Sequence, residues 1–367
     1  MKNSFTLPAA LSFSMLFFVH FLFGQKYSNE FLSIGVGAKA QGMGNAVVAT
    51  VDDVTAGYWN PAGLASLGED KGLQLGGMHS EWFAGVGKFD YLGMTLPFST
   101  KGRRLGISII RFGIDDIPNT LSLFEDDGTV NYDNITSFSA ADYAFLLSFA
   151  QRMKTKKEGR DLFVGGNVKV VRRVIGSFAG SWGFGLDLGM QYRIGKLRFG
   201  AMGRDITSTF NAWHVSFTEE EKTQLLDAGQ ELPDINSLEV TKPQILLGVA
   251  YQLQFNKFGV SPEFNFLAST DGRRNTLISG DPISIDPTFG VEVDYNKFLF
   301  LRGGIGQLQQ EKQFDGTSSY ISRPSIGIGM QLYSLRIDYA FTDVGDSQNR
   351  YSHVISLQLD LKPKKKS

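Results

Sequence analysis

Between residues 182 and 192 every even position is apolar: Trp182, Phe184, Leu186, Leu188, Met190 and Tyr192. The intervening set is Ser181, Gly183, Gly185, Asp187, Gly189, Gln191 and Arg193. A period of two over this length describes an extended strand with one greasy face and one small or polar face. The same pattern returns in Leu335, Ile337, Tyr339 and Phe341. It returns again in Tyr351, His353, Ile355, Leu357, Leu359 and Leu361.

Fourteen such segments can be read: 73–80, 88–97, 104–115, 138–152, 161–173, 179–193, 195–206, 242–253, 257–268, 284–295, 297–308, 321–332, 334–343 and 350–361. Most run beyond the roughly 5–6 residues usual in globular sheets. They match the roughly 9–11 residues of a tilted strand that crosses a bilayer. The fold class read from the sequence is therefore an all-β membrane protein. It is expected to be a 14-stranded antiparallel up-and-down outer-membrane β-barrel spanning residues 73–361.

The connections support an even-numbered barrel. Counted from the first, the even-numbered ones are short: 98–103, 153–160, 194, 254–256, 296 and 333. The long ones, 116–137, 207–241, 269–283 and 309–320, all belong to the odd class. Outer-membrane barrels have short periplasmic turns and longer outer loops. Charge divides the same way. Lys101, Arg103, Lys154, Lys156, Lys157, Arg160, Lys257 and Lys297 lie on the short side. Glu125, Asp126, Asp127, Asp133, Glu219, Glu220, Glu221, Asp227 and Glu231 lie on the long side. Ordinary solvated turns explain such charges; acidic outer loops that receive a basic partner or a divalent cation are the sharper reading. Thr218-Glu219-Glu220-Glu221 is a capping box, with Leu225 and Leu226 after it and Gly229 as a stop. It predicts about ten residues of helix on the rim. No repeat of 20–50 residues is evident, which argues against a propeller or solenoid.

Two regions precede the first strand. Residues 1–24 have Lys2 followed by an apolar run from Leu7 to Phe23, which is the form of a secretory signal peptide. A retained anchor of that length is at the short end of what spans. The chain of 367 residues has formal net charge −1; without its first 24 residues it has 35 basic and 37 acidic residues. Nothing there draws nucleic acid. Residues 25–72 are small, glycine-rich and irregular, and include Asp52-Asp-Val-Thr-Ala-Gly-Tyr-Trp-Asn-Pro-Ala-Gly-Leu-Ala-Ser-Leu67. Irregular backbone cannot face lipid, because its N–H and C=O groups would lack partners. A fourteen-strand barrel leaves a lumen that side chains alone do not fill. Residues 25–72 are therefore expected to form a plug inside it, with Asp52, Asp53, Trp59, Asn60, Pro61 and Gly63 as its motif. Pro61 fixes a turn, and the two aspartates are expected to bond Arg or Lys on the lumen wall.

No chemistry is nominated. Cysteine is absent, which excludes thiolate sites and disulfides. Gly35-Val-Gly-Ala-Lys-Ala40 fits G-x-G-x-x-A but lacks the βαβ context that a dinucleotide site needs. The four histidines, 20, 79, 214 and 353, are scattered. The pairs Asp52-Asp53, Asp115-Asp116 and Asp126-Asp127 are of the kind that caps turns. No catalytic residue, cofactor or metal ligand is assigned. Trp59, Trp82, Trp182 and Trp213 are expected in the aromatic girdles at the membrane interfaces, ahead of a stacking surface for sugars or bases.

Phe31-Leu-Ser-Ile-Gly-Val-Gly-Ala-Lys-Ala-Gln-Gly-Met-Gly-Asn-Ala-Val-Val-Ala-Thr-Val-Asp-Asp-Val-Thr-Ala-Gly-Tyr-Trp-Asn-Pro-Ala-Gly-Leu-Ala65 resembles the N-terminal signature of the PorV/PorQ family of FadL-like outer-membrane barrels. The acidic segment from Thr218 to Tyr251 and the C-terminal strand continue the resemblance. The basic end, residues 362–367, departs from barrels that stop at an aromatic. The resemblance implies a non-enzymatic docking and shuttle role in type IX protein secretion. Partners would then be the translocon and the C-terminal domains of secreted cargo, met by outer-loop residues such as Asp126, Asp127, Glu219, Glu220 and Glu221. The FadL-like alternative is a transporter of hydrophobic small molecules across the outer membrane. A purely structural barrel is a third reading.

Overall fold

The computed structural model describes residues 28–68, 72–99, 102–123, 125, 128–227, 231, 236–312, 318–343 and 351–361. The proposed signal segment 1–24, the basic tail 362–367 and the pair Asp126-Asp127 lie outside them.

Fourteen barrel strands run antiparallel around one closed sheet among the described residues. They are β1 (Leu73–Trp82), β2 (Gly87–Ser99), β3 (Arg103–Asn119), β4 (Thr136–Met153), β5 (Arg160–Ile175) and β6 (Ala179–Ile194). Next come β7 (Leu197–Arg204, continued by Thr209–Val215) and β8 (Asn236–Thr241, Gln244–Tyr251 and Leu253–Phe255). The rest are β9 (Phe258–Ser269), β10 (Ser284–Tyr295), β11 (Leu299–Lys312), β12 (Ser318–Leu332), β13 (Leu335–Asp343) and β14 (Tyr351–Leu361). Closure is made by β1 against β14, in register from Leu73↔Leu361 to Ser80↔Val354. No sheet edge is left open there, which is the condition for crossing lipid with strands.

The fourteen segments read from alternation correspond one to one with these strands. The largest difference lies in 207–241, which was expected to be loop. Thr209–Val215 and Asn236–Thr241 pair with each other, and Thr209–Val215 also pairs with β6. A break at 205–208, with Asp205 and Ser208 at positive φ, interrupts β7 without ending it, and Thr209–Val215 runs on beside β6 from Phe184 to Ala179. The alternation continues there: Thr209 and Asn211 are buried, while Phe210 is exposed.

Burial is inverted relative to a soluble protein. On β6 the outward set is apolar and exposed, with Trp182 at 52%, Phe184 at 61% and Leu188 at 56%. The inward set is polar and buried: Ser181, Asp187 and Gln191 are each at 2% or less. Leu147, Val168, Leu247, Leu301, Ile326 and Ile355 extend the apolar exterior around the barrel. Water does not tolerate a continuous surface of this kind; the hydrocarbon of a bilayer requires it.

Candidate functional site

The core of the molecule is the N-terminal segment, seated inside the barrel. It comprises a 3-10 turn, Glu30–Ser33, and three short helices: α1 (Ala38–Gly42), α2 (Ala56–Trp59) and α3 (Gly63–Ser66). α1 packs against β11, β12, β13 and β14, and α3 against β3, β4 and β5. These helices leave most backbone polar groups without intrahelical partners. Wall side chains supply them. Ala38 N–H donates to Ser356 Oγ at 2.7 Å and Gly44 N–H to Ser325 Oγ at 3.0 Å. Ala49 N–H donates to Glu263 Oε1 at 2.7 Å. In the other direction, Asn167 donates to Gly57 O at 2.7 Å and Gln191 to Val51 O at 2.9 Å. Tyr91 Oη donates to Val54 O at 2.8 Å.

Asn60 is fully buried and ties the segment to the wall. Its Nδ2 donates to Val48 O and to Met190 O, both at 3.0 Å. Pro61 lies so close to β5 and β6 that only glycine fits opposite. A Cβ at Gly165 would come within 2.6 Å of Pro61 C, and one at Gly189 within 2.2 Å of Asn60 Oδ1. Gly63 is confined within the segment, since a Cβ there would meet Val51 O at 2.4 Å. Trp59 donates its indole N–H to Val36 O at 2.8 Å.

Asp52 and Asp53 have a different partner from the expected wall cations. Both face Lys39 of α1, whose Nζ lies 3.2 Å from Asp52 Oδ1 and 3.6 Å from Asp53 Oδ2. The segment thus closes on itself before it meets the wall. Burial works against the Lys39 charge, but the Asp52 and Asp53 carboxylates outweigh it and hold the ammonium above its ordinary range. Asp53 Oδ1 also accepts the Thr55 N–H at 2.9 Å.

The tryptophan girdle needs correction. Trp182 faces outward, but Trp59 and Trp82 are buried at 4% and 8%. Trp213 shares the inward parity of Thr209 and Asn211, and donates to Glu239 Oε2 at 2.8 Å. An aromatic residue in a barrel also has a use inside when the lumen is occupied by another segment.

Two cavities flank the N-terminal segment. The one on the long-loop side is 540 Å³, with Phe31, Trp59, Trp82, Phe112, Leu246 and Leu267 in its wall beside polar and charged residues such as Arg173, Arg204 and Arg274. The one on the short-turn side is 360 Å³, and Lys39, Asp52, Glu292 and Arg336 give it a charged wall. Gly44 and Asn45 line the first and Met43 lines the second, so residues 43–45 form the partition. The partition is wedged against a bare stretch of wall. A Cβ at Gly290 would meet Met43 O at 2.3 Å, and one at Gly304 would meet Gly44 N at 2.1 Å.

The acidic helix is α4 (Glu219–Asp227). Its capping box is formed: Thr218 N–H donates to Glu221 Oε2 at 2.7 Å and Glu221 N–H to Thr218 Oγ1 at 3.2 Å. Glu219 pairs with Lys222 at 2.6 Å. Leu225 is buried while Leu226 is exposed. Glu220 lies within the same helix. Gln224 reaches Ser122 Oγ in the preceding long loop at 3.2 Å.

The wall holds charge clusters that the sequence reading did not single out. Lys169 lies 3.1 Å from Asp187 and also contacts Asp205. Arg302 bridges Glu292 at 2.7 Å and Asp338 at 2.8 Å. All but Asp205, which lies in the break after Arg204, have inward parity on an alternating strand, which was the available signal. Among the described residues no group of three or more His, Asp or Glu side chains forms a metal site.

No family model and no curated protein matches the chain. Solved structures do. The chain is similar to the CymD monoaromatic hydrocarbon channel, with TM-score 0.52 and 12% identity over 90% of this chain and 98% of that one. It is similar to the Ralstonia pickettii toluene transporter TbuX, at TM-score 0.51 and 12% identity over 89% and 98%. A Pseudomonas aeruginosa FadL homologue gives 0.50 and 11% over 89% and 98%. The chain has a FadL-like fold. With its apolar exterior, this FadL-like barrel is an outer-membrane protein. The comparisons do not support the narrower PorV/PorQ resemblance, nor a secretion translocon or cargo as partners. At these identities the shared property is the fold.

Proposed function

We propose that this FadL-like barrel admits hydrophobic small molecules across the outer membrane without chemical conversion. One observation carries the reading. On the long-loop side of residues 43–45, the 540 Å³ cavity gathers Phe31, Trp59, Trp82, Phe112, Leu246 and Leu267 among polar and charged side chains that include Arg173, Arg204 and Arg274. Aromatic and aliphatic side chains with polar groups between them that fix orientation are the usual form of a small-molecule site. The hydrocarbon channels and toluene transporter among the structural neighbours agree with it. In this reading the N-terminal segment is a plug and the cavity is the receiving site. Displacing the partition would connect the cavity to the short-turn side.

Binding can be read directly, because Trp59 and Trp82 line the cavity. Titration of the detergent-solubilised barrel with a monoaromatic hydrocarbon is expected to change tryptophan emission saturably. Leu246→Arg, at a buried position of the cavity wall, is expected to weaken the response at least tenfold. A linear, non-saturating response identical in both proteins contradicts the reading.

The secretion-docking alternative rests on the resemblance of residues 31–65 and on the acidic loop segments. Its test is a mild-detergent pull-down from the native membrane. Co-purification of secreted proteins that share a C-terminal domain would support it. A barrel carrying only apolar small molecules would favour uptake.

A further inference from the structure

The exterior carries a polar row that neither the plug nor the cavity uses. His79, Asp90, Arg111, Tyr143 and Arg172 are successive cross-strand partners on β1 to β5, and Trp182 on β6 continues the row. All have outward parity, since their inward neighbours Met78, Tyr91, Ile110, Ala144 and Val171 are buried. The next outward residues toward the short turns are Leu92, Ile109, Phe145, Val170 and Phe184. Those toward the long loops include Glu81 and Lys88. The row is thus the upper border of the apolar belt. Outer-membrane barrels turn their long loops outward, so this border meets the outer-leaflet headgroups.

Its contacts leave positive charge available. His79 Nδ1 lies 2.7 Å from Asp90 Oδ1, and Arg111 Nη1 lies 3.3 Å from Asp90 Oδ2. Asp90 therefore neutralises one cation. Arg172 stacks over Trp182 at 5.1 Å and donates to Ser181 O at 3.1 Å. It has no carboxylate partner among the described residues. Two strand spacings, about 10 Å, separate Arg111 from Arg172.

Directly below the row the wall is recessed. Gly77 faces outward between Leu92 and Leu357, its partners on β2 and β14. A Cβ there would meet only Tyr91 O, at 3.8 Å. The missing side chain opens an exterior groove of about 580 Å³ with Leu92, Ile109, Ile355 and Leu357 on its sides and His79 and Arg111 at its head.

We infer that this groove is a specific site for a phosphorylated lipid of the outer leaflet. One acyl chain lies over Gly77, and the phosphorylated headgroup rests on Arg111 and Arg172. An apolar slot headed by guanidinium groups matches both halves of such a molecule, and Arg favours phosphate through its paired donors. This site lies outside the lumen and is independent of what the lumen admits.

The test uses the full barrel in a neutral detergent, titrated with diphosphoryl lipid A and read by native mass spectrometry. Gly77→Leu, which fills the slot, and Arg111→Gln combined with Arg172→Gln are each expected to weaken binding at least fivefold. Both variants should keep heat-modifiable migration and cavity binding. Dephosphorylated lipid A should bind as weakly to the wild type as the intact lipid does to the arginine variant, and millimolar inorganic phosphate should not displace the lipid. Equal affinity in the wild type and the arginine variant would overturn the inference. So would full displacement by inorganic phosphate, which would make this an anion site only.

Discussion

Asn60 shows how the plug is held. Its amide satisfies Val48 O within the segment and Met190 O on β6, so one side chain joins both chain traces to the wall. Asn60→Ala strands buried carbonyls, at about 1–3 kcal/mol for such a group. The expected outcome is an intact barrel with a loosened plug. Cells carrying this variant should admit large polar antibiotics that the wild type excludes, while heat-modifiable migration is unchanged. Lys169 plays the corresponding part in the wall. It is buried at 2% between Asp187 and Asp205, and Lys169→Met leaves two carboxylates without their cation. Removing one member of a buried ion pair typically costs about 3–5 kcal/mol. Urea unfolding in lipid vesicles should show a loss of that order. A change below about 1 kcal/mol would mean that the two carboxylates are protonated or hydrated without Lys169.

At the scale of elements, the strands carry two codes at once. On β6 the even residues face lipid and the odd residues serve the lumen. Leu188→Arg, near the middle of the outward row, should therefore cost about 2–4 kcal/mol in vesicle unfolding. The α4 cap is separate from this. Thr218→Ala removes the Oγ that accepts the Glu221 N–H and should weaken the helix by about 1 kcal/mol. Amide exchange in 219–227 should rise while exchange in the barrel strands stays the same. These elements also show what could be read in the sequence. Alternation marks a strand with differing faces, and it located all fourteen. It could not show that 209–215 and 236–241 pair as an extension of the sheet, because the break at 205–208 shifts the phase of the pattern. Asn60-Pro61 was visible as a breaker inside an apolar stretch. Its contacts with Met190, Gly165 and Gly189 depend on how the wall curves around it, and strand periodicity has no record of that. Lys39 as the partner of Asp52 and Asp53 was hidden by the turn that brings α1 back over residues 52–53. The inward Trp213 had the parity of Asn211, but expecting aromatic residues at the membrane interface pointed the other way.

At the scale of the molecule, three layers stand in sequence: a lipid-facing apolar skin, a polar wall, and a plug of small residues whose backbone the wall satisfies. The plug divides the lumen into a cavity of 540 Å³ on the long-loop side, where aromatic residues stand among polar ones, and a polar one of 360 Å³ on the short-turn side. This asymmetry suits entry by an apolar molecule that is held first and released later. Under the proposed function the step between the two lies at residues 43–45, where Gly290 and Gly304 let the plug backbone touch the wall. Uptake of a radiolabelled monoaromatic hydrocarbon by intact cells tests the account most directly. The comparison is between cells that lack the protein, cells that express it, and cells that express Leu246→Arg at equal outer-membrane abundance. Uptake should be saturable and several-fold faster with the wild type than in either of the others. Equal rates in all three would contradict the proposal that this barrel admits hydrophobic molecules through its long-loop-side cavity.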